Sequence, residues 1–290
     1  MNNQRNKAMD FRKYHALGNV YLVVSPDEFP DEPAALIIKN ICHKHYGVAS
    51  DGVLIGPFSS NVADFGLRIF NPDASEAEKS GNGLRIFCRS LWDQGLVKDK
   101  PFTIETKGGV VRAQVSDNGQ RVDVEMGKVS FLSQDIPVWG EPREVLLENL
   151  NVMSLNHIYS AVTIGNPHCV ILAESPTEIM AKEFGPLIET HPNFPNRTNV
   201  QFMQVIDRNH IVIEIWERGA GYTLASGSSS CAAAAVAYKL GLCDSSIKVM
   251  MPGGQIDIEI SEDFRVSMSG GVTSVCHGSI STECLSQLFH

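Results

Sequence analysis

The sequence predicts an α/β (α+β) fold of two pseudo-symmetric domains, each a curved sheet or barrel around a central helix, with a site in the cleft between them. Three observations lead to this expectation. The chain has 290 residues, 43% of them hydrophobic, which suits one large domain or two of about 145 residues. Unusual dipeptides recur in the same order half a chain apart. Within each half, strand-like runs alternate with helix-like runs, which is typical of α/β proteins.

Five pairs of motifs carry the repeat, at an offset of about 146 residues. Each half has a Gly-Asn pair before an apolar run, a strand-like pentapeptide, a Ser-Gly pair, a Gly-Leu pair and a Gly-Gly pair. In the first half these motifs begin at Gly18, Arg68, Ser80, Gly95 and Gly108, and in the second half at Gly165, Glu214, Ser226, Gly241 and Gly253. Five anchors in one order at a nearly constant offset are hard to produce by chance. We therefore interpret the chain as an internal duplication.

The order of elements within each repeat follows from its periodicity. A strand, a helix and short strands lead to a loop that ends in Ser-Gly, and a second helix, a glycine stop and a hairpin come after it. The first helix of the first half is predicted over residues 34–45. After the two serines, residues 84–92 are amphipathic, whereas residues 231–238 are nearly all alanine. Alanine allows close backbone packing, so we expect the second of these helices to lie in a tight sheet or barrel interior.

The boundary between the halves is predicted near residue 128. Residues 129–155 carry little periodic information and contain Pro137, Gly140 and Pro142, which favours a connection. We expect an N-terminal half of residues 1–128, joined by a C-terminal segment near 272–290, and a C-terminal half of residues 129–271.

Charge and hydropathy narrow the class of partner. The net charge of -9 and the isoelectric point near 5.5 argue against nucleic acid or an anionic membrane, since either would repel an acidic surface. Residues 1–13 are polar, and no run approaches the roughly 18 apolar residues that a membrane-spanning helix needs. These observations favour a cytoplasmic protein with a small-molecule partner.

Cysteine usage predicts reduced thiols. The seven cysteines are odd in number and include no CxxC pair, so neither a disulfide framework nor a zinc knuckle is expected. Cys42, His43 and His45 form the only metal-like cluster in the sequence. A buried cysteine in the predicted helix beside two surface histidines explains that cluster as well, and no metal site is expected.

The duplicated Ser-Gly at a helix start has two interpretations. Serine is among the best N-caps, and the glycine lets the chain turn into the helix. Alternatively, a helix N-terminus points unpaired N–H groups and a positive dipole end at a carboxylate. Two such helices facing each other could hold one α-carboxylate, with the cap side chains on opposite faces of the α-carbon. Inversion by two acid–base groups requires that arrangement.

Two segments around these serines resemble the signature segments of the diaminopimelate epimerase family. They are residues 70–85 (FNPDASEAEKSGNGLR) and 216–227 (WERGAGYTLASG), and residues 15–19, 47–52, 165–170 and 199–203 resemble further blocks of that family. The similarity spans nearly the whole chain. It implies two mirror-related α/β domains with a central helix in each, an active site between them, and racemisation without pyridoxal phosphate or metal, so no cofactor is expected.

The chain departs from the family pattern where the chemistry happens. The family has a cysteine at the positions of Ser80 and Ser226; one thiolate removes the α-proton and the other thiol delivers a proton to the opposite face. Tyr222 stands where the family has a glutamate, and Val20 where it has an aspartate. A free thiol ionises near pH 8.5, whereas a serine hydroxyl must be activated by an adjacent base. Ordinary thiolate chemistry is therefore not expected.

The same resemblance also concerns two other cysteines and the remaining catalytic candidates. Cys88 and Cys231 occupy other motif positions and restore neither thiol. His168 and Glu217 match residues that resemble the dyad partners of the two cysteines, and they could act as bases through the serines or in their place. The resemblance thus implies Ser80, Ser226, His168 and Glu217 as catalytic residues, although His168 could also be a hydrogen-bonded strand residue.

Substrate-binding positions are implied in two groups. The group that matches the holders of the reacting carboxylate is Gly81, Asn82, Gly227 and Ser228, and the group that matches the grip on the far end is Asn71, Asn166, Asn199 and Arg218. Asn19 is also expected to be a substrate-binding residue. Arg218 offers a bidentate fork for a carboxylate, and asparagine can meet both a carboxylate and an ammonium group. The alternative for each asparagine is that it only satisfies loop backbone.

Three functions remain open from the sequence. The first is an amino-acid epimerase or racemase that needs no pyridoxal phosphate and acts on an amino acid with a second polar or charged end, diaminopimelate or a relative. The second is a repurposed isomerase or cyclase that uses the serines, His168 and Glu217 for one-sided proton transfer. The third is a non-catalytic amino-acid-binding homologue, in which Tyr222 would be the first suspect for a blocked site. A homodimer is compatible with all three.

Overall fold

The computed structural model describes residues 8–29 and 33–286. These residues form two compact units. The first takes the described residues of Met1–Val124 and Gly270–His290, and the second is Glu125–Ser269. Each unit combines sheet with a few helices, so the predicted mixed α/β class is confirmed.

The first unit opens with a β-hairpin and continues through a helix, short strands, a second helix and a meander. Its elements are β1 (Met9–Ala16), β2 (Asn19–Val24), α1 (Ala35–Cys42), β3 (Val53–Phe58), β4 (Phe65–Phe70), β5 (Glu76–Ala77), α2 (Gly81–Asp93), β6 (Phe102–Thr106), β7 (Gly109–Ser116) and β8 (Arg121–Lys128), whose last residues belong to the second unit. The helix predicted over residues 34–45 is thus present and shorter at its C-terminal end.

The second unit begins with an additional strand and then repeats the order of elements of the first unit. Its elements are β9 (Glu148–Val152), β10 (Leu155–Thr163), β11 (Pro167–Leu172), α3 (Glu178–Glu189), β12 (Asn199–Asp207), β13 (His210–Glu217), β14 (Gly221–Thr223), α4 (Gly227–Lys239), β15 (Ser246–Met251), β16 (Gly254–Ile260) and β17 (Arg265–Gly270). The chain then returns to the first unit with β18 (Thr273–Ile280) and α5 (Thr282–Ser286). No described helix is long and apolar enough to cross a membrane.

Strand pairing repeats from one unit to the other. In the first unit β1–β2 is antiparallel, β2–β3 parallel, β3–β4 and β4–β5 antiparallel, β4–β6 parallel and β6–β7 antiparallel. In the second unit the same series runs through β10–β11, β11–β12, β12–β13, β13–β14, β13–β15 and β15–β16. An additional antiparallel strand pairs with the first strand of each hairpin. β18 pairs with β1 in the first unit, and β9 pairs with β10 in the second. The fold is therefore compatible with the predicted duplication.

The two helices of the second unit pack on opposite faces of its strands. One face forms a core with α3, in which alternate strand residues such as Cys169, Ile171, Val200 and Phe202 meet Ala181 of α3. Strand residues one position out of phase point to the other face because successive side chains of a strand alternate. That other face meets α4, whose residues 231–237 have no exposed surface. The alanine-rich helix is buried, as its composition predicted.

Residues 129–155 do more than connect the halves. They contain β9, and Ile136, Val138, Val145 and Leu150 belong to the core cluster around α3. The sequence did not reveal this packing, because the apolar residues of the segment show neither a helical nor a strand period.

Candidate functional site

Ser80 caps the N-terminus of α2. Its backbone is extended, with φ -139° and ψ 119°, and its Oγ accepts a hydrogen bond from the Gly83 N–H at 3.0 Å. The Tyr21 hydroxyl lies 3.2 Å from the same Oγ. Ser80 is therefore an N-cap, as one interpretation of Ser-Gly predicted, and a phenol is also within its reach.

Ser226 caps α4 in the same way. Its φ and ψ are -144° and 125°, and its Oγ accepts from the Ser229 N–H at 3.4 Å. Each serine precedes a helix of 13 residues that has no acidic residue in its first turn. The positive end of each helix dipole is thus left available to an anion. Gly81 and Gly227 are the buried first residues of the two helices.

A chain of amide hydrogen bonds surrounds the start of α2. Asn82 Nδ2 donates to Asn19 Oδ1 at 3.1 Å, and Arg85 Nη2 donates to Asn82 Oδ1 at 2.6 Å. Asp51 Oδ2 accepts from Asn19 Nδ2 at 3.0 Å and from the Val20 N–H at 2.8 Å. Asp51 thus holds the turn that contains Asn19 and Val20.

The fourth binding candidate of the first unit, Asn71, lies in a loop after β4. Its Nδ2 donates to Ser75 Oγ at 2.9 Å, and Asp73 accepts from the Ser75 N–H at 2.8 Å. These contacts order the loop at an exposed position. No hydrogen bond among the described residues joins Asn71 to Ser80.

The second unit has a matching network at the start of α4. Asn166 Nδ2 donates to Ser228 Oγ at 3.5 Å, and His168 Nε2 lies 3.0 Å from Asn166 Oδ1. The contact between Asn166 and Ser228 corresponds to that between Asn19 and Asn82 in the first unit. The two helix starts therefore share their supporting contacts as well as their caps.

Asn199 connects this network to Arg218. Asn199 Nδ2 donates to the Pro167 carbonyl at 2.8 Å, and its Oδ1 accepts from the Arg218 N–H at 3.0 Å. The Arg218 side chain is exposed, and its Nη1 donates to the Asn196 carbonyl at 3.1 Å. Glu217 ends β13 opposite Gly221. The structure thus brings together Asn166, His168, Asn199, Arg218 and Ser228.

His168 is held neutral. Burial lowers its pKa to about 3, and the charge of Arg218 adds to this while Gln201 opposes it. With Nε2 facing the Asn166 oxygen, its Nδ1 has no hydrogen-bond partner among the described residues. His168 is therefore a neutral imidazole at neutral pH, with its Nε2–H donating to Asn166 Oδ1 and its lone pair on Nδ1.

Tyr222 packs away from the serine. It pairs with Trp216 in the β13–β14 hairpin, and both side chains lie against the core that contains α3. Its hydroxyl donates to Glu214 Oε2 at 2.9 Å, and Lys182 Nζ lies 5.1 Å from its ring centre. The Tyr222 side chain thus lies on the α3 face of the strands, whereas α4 packs on the opposite face. That Tyr222 blocks the site stays a prediction.

Two cysteines lie within the serine-capped helices rather than at the helix starts. Cys88 and Cys231 are buried inside α2 and α4, and burial raises the pKa of the Cys88 thiol well above its usual range. Of the metal-like cluster, His43 Nδ1 accepts from the His45 N–H at 3.1 Å. Within residues 8–29 and 33–286, no group of three His, Cys, Asp or Glu could hold a metal ion.

Tyr21 and Gln201 are among the residues at the site that were missed from the sequence. Gln201 Nε2 donates to Ser229 Oγ at 3.0 Å in the first turn of α4. Nothing in the local sequence marks it. Tyr21 did carry a signal, since the offset that places Gly18 on Gly165 also places Tyr21 on His168.

Comparison with known proteins gives one consistent family. A profile of the family described as diaminopimelate epimerase matches residues 11–132 and 160–275. The chain is 61% identical over 277 residues to diaminopimelate epimerase 2 of Nostoc sp., which covers 95% of this chain and 96% of that protein. It is 38% identical to the diaminopimelate epimerase of Desulfitobacterium hafniense, over 96% of this chain and 100% of the relative.

Solved structures share the fold at low identity. A hydroxyproline epimerase from Agrobacterium vitis superimposes with a TM-score of 0.71 at 15% identity, over 97% of this chain and 94% of that one. A phenazine biosynthesis protein of Bacillus anthracis gives a TM-score of 0.66 at 18% identity, over 94% of this chain and 99% of the other. At such identities the likeness shows the fold alone.

Proposed function

The chain belongs to the diaminopimelate epimerase family, and from that premise we propose that it is an amino-acid epimerase or racemase that moves an α-proton without pyridoxal phosphate. The substrate is an amino acid with a second polar or charged end. Diaminopimelate is the first candidate, because the curated relatives carry that name.

The observation that carries this proposal is the pair of serine-capped helices. Both helices begin directly after an extended serine, and neither has an acidic residue in its first turn. In the proposed reaction, Ser80 and Ser226 act on the two faces of one α-carbon. The N–H groups of the helix starts, at Gly81, Asn82, Gly227 and Ser228, hold the α-carboxylate and the negative charge that develops there.

The protonation state of each group limits its role in the proposed reaction. Removal of the α-proton leaves its electron pair on the α-carbon, and the opposite serine must then supply a proton to invert the centre. A serine hydroxyl needs help for either step. Glu217 and His168 are the proposed helpers, and His168, being neutral, acts as an acceptor rather than as an acid.

The far end of the substrate is assigned to the polar network of the second unit and to Asn71. Arg218 has an exposed guanidinium whose backbone N–H is fixed by Asn199. It suits a distal carboxylate, and the amides of Asn71 and Asn166 suit either a carboxylate or an ammonium group. Asn19 supports the helix start through Asn82. A cytoplasmic location, a homodimer and the lack of a cofactor remain predictions.

The proposal is tested by loss of optical purity. Stereochemically pure amino acids, with diaminopimelate isomers as one set and leucine and alanine as the other, are incubated with the protein and separated by chiral chromatography. We expect inversion at one α-carbon in the first set and none in the second. The Ser80→Ala and Ser226→Ala variants are the controls, and each should abolish inversion.

Two other results would replace the proposal. A bound compound that is converted without inversion points to one-sided proton transfer. Binding by calorimetry without any conversion points to a non-catalytic homologue.

A further inference from the structure

The Tyr21 hydroxyl is the side-chain group that contacts Ser80 Oγ. The two oxygens lie 3.2 Å apart, and either can donate the hydrogen. Tyr21 is only 6% exposed. It stands on β2, which pairs with β1 on one side and β3 on the other, so its backbone is fixed on both sides. The paired strands therefore hold the Tyr21 hydroxyl next to Ser80 Oγ.

Gly52 makes room for the Tyr21 ring. A Cβ at position 52 would lie 2.5 Å from Tyr21 Cε1 and 2.6 Å from the Phe70 carbonyl oxygen. Neither contact is tolerable, and the second is to backbone that cannot move aside. The Gly52 carbonyl also accepts from the Leu22 N–H at 3.1 Å, next to Tyr21 in the chain. The absence of a side chain at residue 52 thus lets the ring lie where its hydroxyl reaches Ser80.

The internal repeat places Tyr21 and His168 at equivalent positions. Gly18-Asn19 matches Gly165-Asn166, and both Tyr21 and His168 follow two residues after the asparagine. Tyr21 is on the second strand of its hairpin opposite Tyr14, and His168 is on the second strand of its hairpin opposite Val162. Each unit therefore presents one ring with a titratable atom from the same strand position.

We propose that Tyr21 is the proton-transfer partner of Ser80 and performs for this serine the activation that a thiol would not need. The proposal rests on the proposed function, in which Ser80 reacts at the α-carbon. A phenol is a far stronger acid than an aliphatic alcohol, so the Tyr21 oxygen holds a negative charge more easily than Ser80 Oγ does.

Proton transfer between Tyr21, Ser80 and the α-carbon can run in either direction. When Ser80 is the base, the Tyr21 phenolate takes the hydroxyl proton of Ser80 while Ser80 Oγ takes the α-proton. The Cα–H bond breaks, its electron pair stays on the α-carbon, and Tyr21 becomes a neutral phenol. When Ser80 is the acid, its proton goes to the α-carbon and the Tyr21 proton goes to Ser80, which leaves a phenolate that solvent reprotonates.

A thiol probe tests the coupling without any turnover. In Ser80→Cys, the Tyr21 hydroxyl should donate to the thiolate and favour it. Adding Tyr21→Phe should slow alkylation of the introduced thiol by iodoacetamide at pH 7 by about tenfold, the change that one pKa unit brings. Mass spectrometry of the peptide that contains residue 80 separates this thiol from the seven natural cysteines.

Tyr14 supplies the matched control. It faces Tyr21 in the β1–β2 register, is likewise buried, and donates its hydroxyl to Asp93 Oδ2 at 3.0 Å, at the other end of α2. Tyr14→Phe should therefore leave the alkylation rate within about twofold in the Ser80→Cys background. Equal alkylation rates with and without the Tyr21 hydroxyl would overturn the proposal.

Deuterium uptake by the unmodified serine protein supplies the second test. Uptake at the α-carbon from the stereoisomer that Ser80 deprotonates should rise with pH toward the range in which phenols ionise. Tyr21→Phe should remove that rise. Uptake from the stereoisomer that Ser226 deprotonates should be unchanged. Replacing the tyrosines by fluorotyrosine, a stronger acid, should move the rise to lower pH, which a merely structural hydroxyl would not do.

The outcomes separate this proposal from the proposed function. An unchanged pH profile in Tyr21→Phe overturns the role of Tyr21 while the epimerase function stands. Uptake that is absent from every variant, including the unmodified protein, overturns the epimerase function. The thiol probe still decides the coupling between Tyr21 and Ser80 in that case.

Discussion

At the scale of single residues, His168 shows how burial decides what a side chain can do. It has no exposed surface, and burial lowers its pKa to about 3. An unfolded histidine takes up a proton near pH 6.5. Between these two values the unfolded chain binds a proton that the folded chain refuses, so the folded state loses stability as the pH falls.

We expect His168→Gln to lessen this acid sensitivity. From pH 7.5 to pH 5, the free energy of unfolding of the unmodified protein should fall by up to about 2 kcal/mol more than that of the variant. Urea denaturation at both pH values measures the difference. His277→Gln, which removes an exposed histidine, is the control and should change nothing. An equal fall in the protein and in His168→Gln would show that His168 is protonated in the folded state.

Arg218 permits a second test at this scale. Its guanidinium is exposed and bonded to the Asn196 carbonyl, so it can turn to a ligand without losing a buried ion pair. Arg218→Ala should weaken the binding of a dicarboxylic amino acid by about 2 to 5 kcal/mol, the usual cost of breaking a charge pair that becomes buried. Calorimetry compares it with Arg265→Ala, an exposed arginine of the same unit paired with Asp263. Equal affinities would remove Arg218 from the site.

At the scale of elements, the two serine-capped helices differ in the size of their buried side chains. Both have 13 residues and the same cap. Residues 231–237 of α4 have no exposed surface, and five of them are alanine. Their small side chains let the strands of the second unit approach closely, so the helix has little room for a larger residue.

Ala234→Leu should therefore destabilise the protein by about 1 to 3 kcal/mol through overpacking. Glu183→Leu, on the exposed side of α3, should change the free energy of unfolding by no more than about 0.5 kcal/mol. Urea denaturation of the two variants makes the comparison. A tolerated leucine at position 234 would mean that the second unit is less tightly packed around α4 than described.

The elements that could be predicted are those with local signals. Ser-Gly marks both helix starts, because a serine cap and a following glycine are needed there in any fold. Residues 129–155 could not be predicted, since their core residues Ile136 and Val145 are buried by contacts distant in sequence. For the same reason the direction of the Tyr222 side chain was unpredictable: it depends on which face of the β13–β14 hairpin meets α3.

At the scale of the whole molecule, two units repeat one plan and differ in chemistry. The strand pairings correspond one by one, and the helix starts carry the same contacts. At the matched strand position the first unit has Tyr21 and the second has His168. The serine caps are alike, so the two units differ in the titratable ring at this strand position. The family resemblance indicated His168 from the sequence, whereas the contact of Tyr21 with Ser80 was visible only in the fold.

The central claim, that this protein moves an α-proton with Ser80 and Ser226 at its two helix caps, is tested most directly by incubating it with diaminopimelate in deuterated water. Uptake at the α-carbon is followed by proton NMR. We predict slow uptake with inversion by the unmodified protein, and uptake raised by about 10²-fold or more in the Ser80→Cys, Ser226→Cys double variant, because thiols at helix N-termini ionise near neutral pH. Each single variant should favour uptake from one face. No uptake by either protein, with binding shown by calorimetry, would contradict the account.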